Sequence, residues 1–144
     1  MREDPAVSSG QSTRPQSTRP VRIVIADDDP LFGRMVQAHL SARAEFEVVG
    51  LAANGLEAIM LTQELEPDLV LLDVSMPVLD GIDAARIIRQ GRPPPAVVLV
   101  TGEDDASDAR AYKAGAAAYV RKTGNIVPLM DAILTVSQLA LPLR

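Results

Sequence analysis

From Val21 onward the chain alternates between two hydrophobic patterns. Short uninterrupted apolar runs, the signature of strands buried on both faces, are separated by stretches in which apolar residues return every three or four positions, as on one side of a helix. Val21–Ala26 is β-branched and reads as the first strand. Pro30 suits the first turn of a helix and Asp29 its N-cap, so a helix is expected over Leu31 to Ala44. Phe46–Ala52 is a second strand, weakened by Gly50. A second helix is expected from Asn54 or Gly55 to about Glu66, with Leu56, Ile59, Met60 and Leu65 as its apolar side. Pro67-Asp68 breaks it, and Leu69–Leu72 runs into Asp73 as the third strand. Turn residues follow at Ser75, Pro77, Asp80 and Gly81. Gly81 to Gln90 is a helix with Ile82, Ala85, Ile87 and Ile88 apolar, and Gly91 with Pro93-Pro94-Pro95 makes a stiff connector. Ala96–Thr101 is the fourth strand, Ala106 to Ala114 an Ala-rich helix closed by Gly115, and Ala117–Val120 a short fifth strand. Gly124 to Leu139 gives the last helix, apolar at Ile126, Leu129, Met130, Ile133 and Leu134.

Five strand–helix alternations imply right-handed crossovers and a parallel sheet covered on both faces, a doubly wound three-layer α/β sandwich over residues 21–139. Residues 1–20 are polar and Pro-rich, and Gln11-Ser12-Thr13-Arg14-Pro15 repeats at once as Gln16-Ser17-Thr18-Arg19-Pro20. Such a segment buries too little apolar surface to offset its ordering entropy, so a disordered tail is expected, a neutral extension rather than a docking element. Residues 140–144 read as a frayed end. His39 lies inside the first helix with no partner visible in the sequence and is assigned no role.

Composition narrows the function. Hydrophobic residues make up 47% of the 144 but aromatic ones only 3%, so the core must be aliphatic. Without Cys there is no disulfide, thiolate metal site or Cys nucleophile. No apolar run approaches the roughly 20 residues that span a bilayer, and no signal-peptide core opens the chain, so a cytoplasmic protein is expected. A net charge of −5 argues against nucleic-acid binding by this chain and favours cations or basic protein surfaces as partners.

The chemistry gathers at strand ends. The first strand ends at Asp27-Asp28, the third at Asp73, the fourth at Thr101 and the fifth near Lys122, and a doubly wound sheet brings these ends to one edge. Clustered carboxylates repel one another, and a divalent cation removes that repulsion. An all-oxygen set without His or Cys favours Mg²⁺, which retains waters and is also held by phosphate oxygens. Thr101 supplies a hydrogen-bond donor and Lys122 a compact positive charge, both suited to an added anion. The set describes an aspartate that accepts a phosphoryl group through positioning and charge neutralisation.

Ile25-Ala26-Asp27-Asp28, Leu72-Asp73-Val74-Ser75-Met76-Pro77 with Asp80-Gly81, Val100-Thr101-Gly102, and Ala114-Gly115-Ala116 leading to Tyr119 and Lys122 together resemble the receiver domain of bacterial two-component response regulators, over about residues 21–138. Each fragment alone is weak, and the ordered set is specific. The resemblance implies a flavodoxin-like strand order 2-1-3-4-5. It implies Asp73 as phosphoacceptor from the phosphohistidine of a sensor histidine kinase or phosphotransfer protein. Asp28, Asp73 and the backbone carbonyl of Ser75 would be direct Mg²⁺ ligands, and Asp27 would reach the metal through water. Lys122 would pair with the phosphoryl group. Thr101 and Tyr119 would form the switch that remodels the face of the last two helices and fifth strand toward a downstream protein target or a phosphorylation-dependent homodimer. Asp28-Asp29-Pro30-Leu31-Phe32 is similar to regulators with helix-turn-helix output. Gly102 stands where Ala is common, and Thr123 follows Lys122 where Pro is common, so no cis peptide is expected there. The residues after the last helix are too few for an output domain. The expectation is a stand-alone receiver that is not an enzyme beyond self-phosphorylation and self-dephosphorylation.

The rival readings rest on particular residues. A haloacid-dehalogenase-type phosphatase places a second Asp two residues after its nucleophile, where this chain has Ser75. Nucleotide binding lacks a Gly-rich phosphate loop after any strand. The remaining alternatives are a phosphorylation-independent interaction module, which should have lost an acidic or Lys site residue, and a truncated DNA-binding regulator. Glu103-Asp104-Asp105 reads as helix-capping charge, and Glu103 lies where it would influence water reaching a phosphoryl group.

Overall fold

The computed structural model describes residues 19–102 and 108–139. The repeated tail before Arg19, the acidic segment 103–107 and the last five residues lie outside the described residues. Five strands, β1 (Val21–Ala26), β2 (Phe46–Ala52), β3 (Leu69–Asp73), β4 (Ala96–Thr101) and β5 (Ala118–Arg121), form one sheet in the order β2-β1-β3-β4-β5. All four strand pairs are parallel. The helices are α1 (Pro30–Ser41), α2 (Gly55–Leu65), α3 (Gly81–Ile88), α4 (Asp108–Lys113) and α5 (Val127–Leu139).

Residue alternation along the central strands sorts the core into two layers. Val24, Val70, Leu72, Val97 and Leu99 face α2, α3 and α4. Ile23, Ile25, Leu69, Leu71, Val98 and Val100 face α1 and α5. The two strands at the centre of the sheet's site half, β3 and β4, are therefore buried at every residue. The largest fully buried side chains are all Ile, Leu or Val, as the scarcity of aromatics requires.

Four expected details are corrected. The apolar side of α2 does not include Leu56 or Met60, which are 49% and 58% exposed; Gly55, Ala58, Ile59 and Thr62 face inward instead. Small residues let this helix lie close to the sheet, and the Thr62 hydroxyl is satisfied by donating to Ala58 O at 2.7 Å. Ile87 of α3 likewise faces outward, while Ala84 is buried. The last helix begins at Val127 rather than Gly124, because Thr123 and Asn125 form a local turn and the Asn125 side chain accepts from Val127 N–H at 3.0 Å. His39 does have a partner: its Nδ1 lies 2.9 Å from Met35 O one turn back. Among the described residues the one cis peptide is Arg92–Pro93, so Lys122–Thr123 is trans as expected. No helix among the described residues is long and apolar enough to cross a membrane.

Candidate functional site

The carboxyl ends of β1, β3, β4 and β5 meet at one edge, and backbone bonds fix each side chain there. Asp27 N–H donates to Ala52 O at 3.0 Å, Val74 N–H to Val100 O at 2.8 Å, and Lys122 N–H to Thr101 O at 2.6 Å. Asp27 Oδ1 accepts from Asp29 N–H at 2.8 Å, and Asp29 in turn caps α1 by accepting from Leu31 N–H at 3.0 Å. The acidic triplet thus divides its work: Asp27 and Asp28 serve the site, Asp29 the helix.

The loop after Asp73 is held by main chain. Gly81 N–H donates to Val74 O at 2.8 Å and Gly55 N–H to Leu79 O at 3.1 Å. A Cβ at Gly81 would collide with the Asp73 carbonyl, and one at Gly55 with the Leu79 carbonyl. Between them Leu79 N–H donates back to Pro77 O at 2.7 Å, closing a γ-turn with Val78 at φ 72°. A β-branched residue at positive φ is strained. Asp80 ends the loop as N-cap of α3, accepting from Asp83 N–H at 2.8 Å.

Asp27, Asp28 and Asp73 each offer a carboxylate oxygen within 4.8 Å of the others. Asp27 and Asp73 are buried; Asp28 is at the mouth. The Lys122 ammonium enters from β5, 2.8 Å from Asp27 Oδ2 and 3.4 Å from Asp73 Oδ2. At that distance the ammonium is a close charge partner for the buried Asp27 Oδ2. One ammonium does not balance three carboxylates. Burial, then the charge of Asp27, pushes the Asp73 carboxyl up to about 6, against the pull of Lys122. Burial lowers the Lys122 pKa, but Asp27 and Asp73 outweigh it and the net shift is upward. Hard oxygen donors gathered within 4.8 Å and an excess of negative charge suit a divalent cation of the Mg²⁺ type.

Thr101 is fully buried at the end of β4, and Tyr119 is half-buried on β5, opposite Leu99 and packed on the α2–α3–α4 side. Ser75 is exposed; it lines an open basin of about 630 Å³ with Asp28, Val74, Met76, Pro77, Asp80 and Arg110. Met76 packs inward. The structure gathers Asp27, Asp28 and Asp73 within 4.8 Å of one another, sets Lys122 against Asp27 and Asp73, ends β4 at Thr101 on the same edge, lines the basin beside Asp28 with Ser75, and carries Tyr119 on the next strand. Two neighbours escaped sequence reasoning. Arg110 of α4 lines the basin, and the Phe32 ring lies with its centroid 4.3 Å from Lys122 Nζ. Arg110 left no signal in an Ala-rich helix; Phe32 stood four residues beyond Asp28, on the first turn of the helix that the acidic triplet caps.

An acidic, metal-competent cluster with one lysine, at the carboxyl edge of a 2-1-3-4-5 sheet, defines a phosphoryl-receiving class of α/β domain. The chain belongs to the response regulator receiver domain family, whose pattern matches residues 23–134. It is similar to the transcriptional regulatory protein PdtaR of Mycobacterium tuberculosis, 41% identical over 125 residues, covering 87% of this chain and 60% of that protein. It is also similar to the transcriptional regulatory protein LnrK of Bacillus subtilis, 34% identical over 117 residues, covering 81% of this chain and 53% of that protein. The chain thus spans little more than half the length of these relatives. Among solved structures, the receiver domain of the response regulator NarL from Mycobacterium tuberculosis superposes with a TM-score of 0.78 at 33% identity, covering 83% of this chain and 98% of that one.

Proposed function

We propose that Asp73 accepts a phosphoryl group from the phosphohistidine of a sensor histidine kinase or phosphotransfer protein, and that the phosphorylated domain signals through altered protein contacts. The observation that carries this reading is the Lys122 ammonium shared between two buried carboxylates, beside a third carboxylate at the mouth of an open basin. In the transfer an Asp73 oxygen attacks phosphorus in line, the P–O bond forms as the donor P–N bond breaks, and the imidazole departs. Asp27, Asp28, Asp73 and the Ser75 carbonyl would hold Mg²⁺, which when bound neutralises the carboxylates and the equatorial phosphoryl oxygens. Lys122 takes up one of those oxygens, and the Thr101 hydroxyl another. Tyr119 then turns inward toward the place that Thr101 leaves, altering the β5–α4–α5 face read by a partner protein or a second copy.

Acetyl phosphate with Mg²⁺ should add the mass of one phosphoryl group in an acid-stable, base-labile linkage. Asp73→Asn should abolish the adduct. An unmodified wild-type mass under these conditions would overturn the phosphoacceptor assignment.

A further inference from the structure

Lys122 has a third neighbour besides its two carboxylates. Phe32 sits in the first turn of α1, fixed by Pro30 at its start and by the Asp29 cap, and packs half-buried against the layer beneath α1 and α5. Its ring centroid is 4.3 Å from Lys122 Nζ, within the range in which a ring quadrupole attracts an ammonium. Lysine is a point charge on a flexible four-carbon stem, and only contacts keep it in place. Both of its carboxylate partners belong to the candidate metal cluster. A divalent cation on that cluster competes with the ammonium for Asp27 and Asp73, but not for the ring face.

We propose that Phe32 is a positioning residue for phosphoryl transfer: its ring face keeps the Lys122 ammonium over the cluster while the carboxylates are engaged by metal, ready to take a phosphoryl oxygen. This rests on the phosphoacceptor reading of Asp73. A residue that only fills the apolar layer would be replaced equally well by Leu, and that difference is measurable.

The rate of Asp73 phosphorylation by acetyl phosphate at saturating Mg²⁺ is followed by intact mass in full-length protein. Phe32→Leu should lower the maximal rate about three- to tenfold, while Phe32→Tyr stays within about twofold of wild type. Pentafluorophenylalanine at position 32 keeps the shape but reverses the ring-face charge; it should behave like Leu, and it keeps the test intact if Leu impairs folding. In a Lys122→Gln background Phe32→Leu should cause no further loss, because the two act as one unit. In lysine-labelled protein the Lys122 ε-CH₂ protons should be ring-current shifted upfield in wild type and Phe32→Tyr, and unshifted in Phe32→Leu. A Leu variant as fast as wild type, or an equal loss with and without Lys122, overturns the inference while leaving Asp73 as acceptor. Failure of wild type to form any adduct overturns the acceptor reading and this inference with it.

Discussion

Asp73 carries a conflict between position and charge. Its carboxyl is buried beside Asp27, and its pKa rises from the ordinary 3.8 to about 6. The folded chain therefore holds a proton there that the unfolded chain has already released, so in metal-free protein stability falls as pH rises from about 4 to about 6 and stays lowered above that. Asp73→Asn should raise metal-free stability near pH 7.5, by about 1–2 kcal/mol after allowing for solvent screening, read from urea midpoints. The gain should shrink as pH falls from about 6 and vanish below about 3.8, where the carboxyl is protonated in folded and unfolded chain alike. Mg²⁺ acts in the same direction on wild type: millimolar Mg²⁺ should raise its melting temperature and leave Asp73→Asn nearly unmoved. An Asn variant no more stable than wild type at pH 7.5 would contradict the proposed repulsion. Residue identities were legible at this scale because carboxylates, a hydroxyl and an ammonium at strand ends announce their chemistry. Phe32 was not, since an aromatic residue in an amphipathic helix looks the same whether it fills a core or faces a cation.

At the scale of elements, the loop from Val74 to Asp80 is shaped by two glycines and a strained turn. Gly81→Ala drives a methyl group into the Asp73 carbonyl and should cost about 2–4 kcal/mol while displacing the acceptor, seen as a lower denaturation midpoint and slower phosphorylation. Val78→Gly relieves the positive φ and should be neutral to stabilising by about 1 kcal/mol, despite glycine's greater freedom in the unfolded chain. A clear loss of stability in Val78→Gly would show that the exposed side chain matters more than the backbone. The sequence marked this region as a turn by Pro77, Asp80 and Gly81, but a γ-turn centred on valine follows from closure between Pro77 and Leu79, which no local preference announces. Periodicity located every helix, yet it misassigned Leu56 and Met60 of α2. There the small residues Ala58 and Thr62 face the sheet, and an apolar count favours larger side chains that in fact point to solvent.

Across the whole molecule, the alternation of five apolar runs with five helical segments called for a parallel sheet with right-handed crossovers, whereas the strand order β2-β1-β3-β4-β5 was legible only through the resemblance to receiver domains. Strand ends more than twenty residues apart in sequence then share an edge without any specific signal between them. Thr101 and Tyr119 lie on adjacent strands next to that edge. Thr101→Ala should still accept a phosphoryl group but pass less of it on: the phosphorylation-dependent change in partner binding or self-association, followed by sedimentation or titration, should shrink severalfold. An undiminished response would remove Thr101 from the switch. The basin lined by Asp28 and Ser75, beside the carboxylate cluster, carries a final implication, for fidelity. It is open to solvent and presents the charges of Asp28, Asp80 and Arg110 to whatever approaches. On the proposed role of Asp73, discrimination between one phosphoryl donor and another would fall to the surfaces around the mouth, and surface substitutions that never touch the chemistry should change the donor the chain accepts.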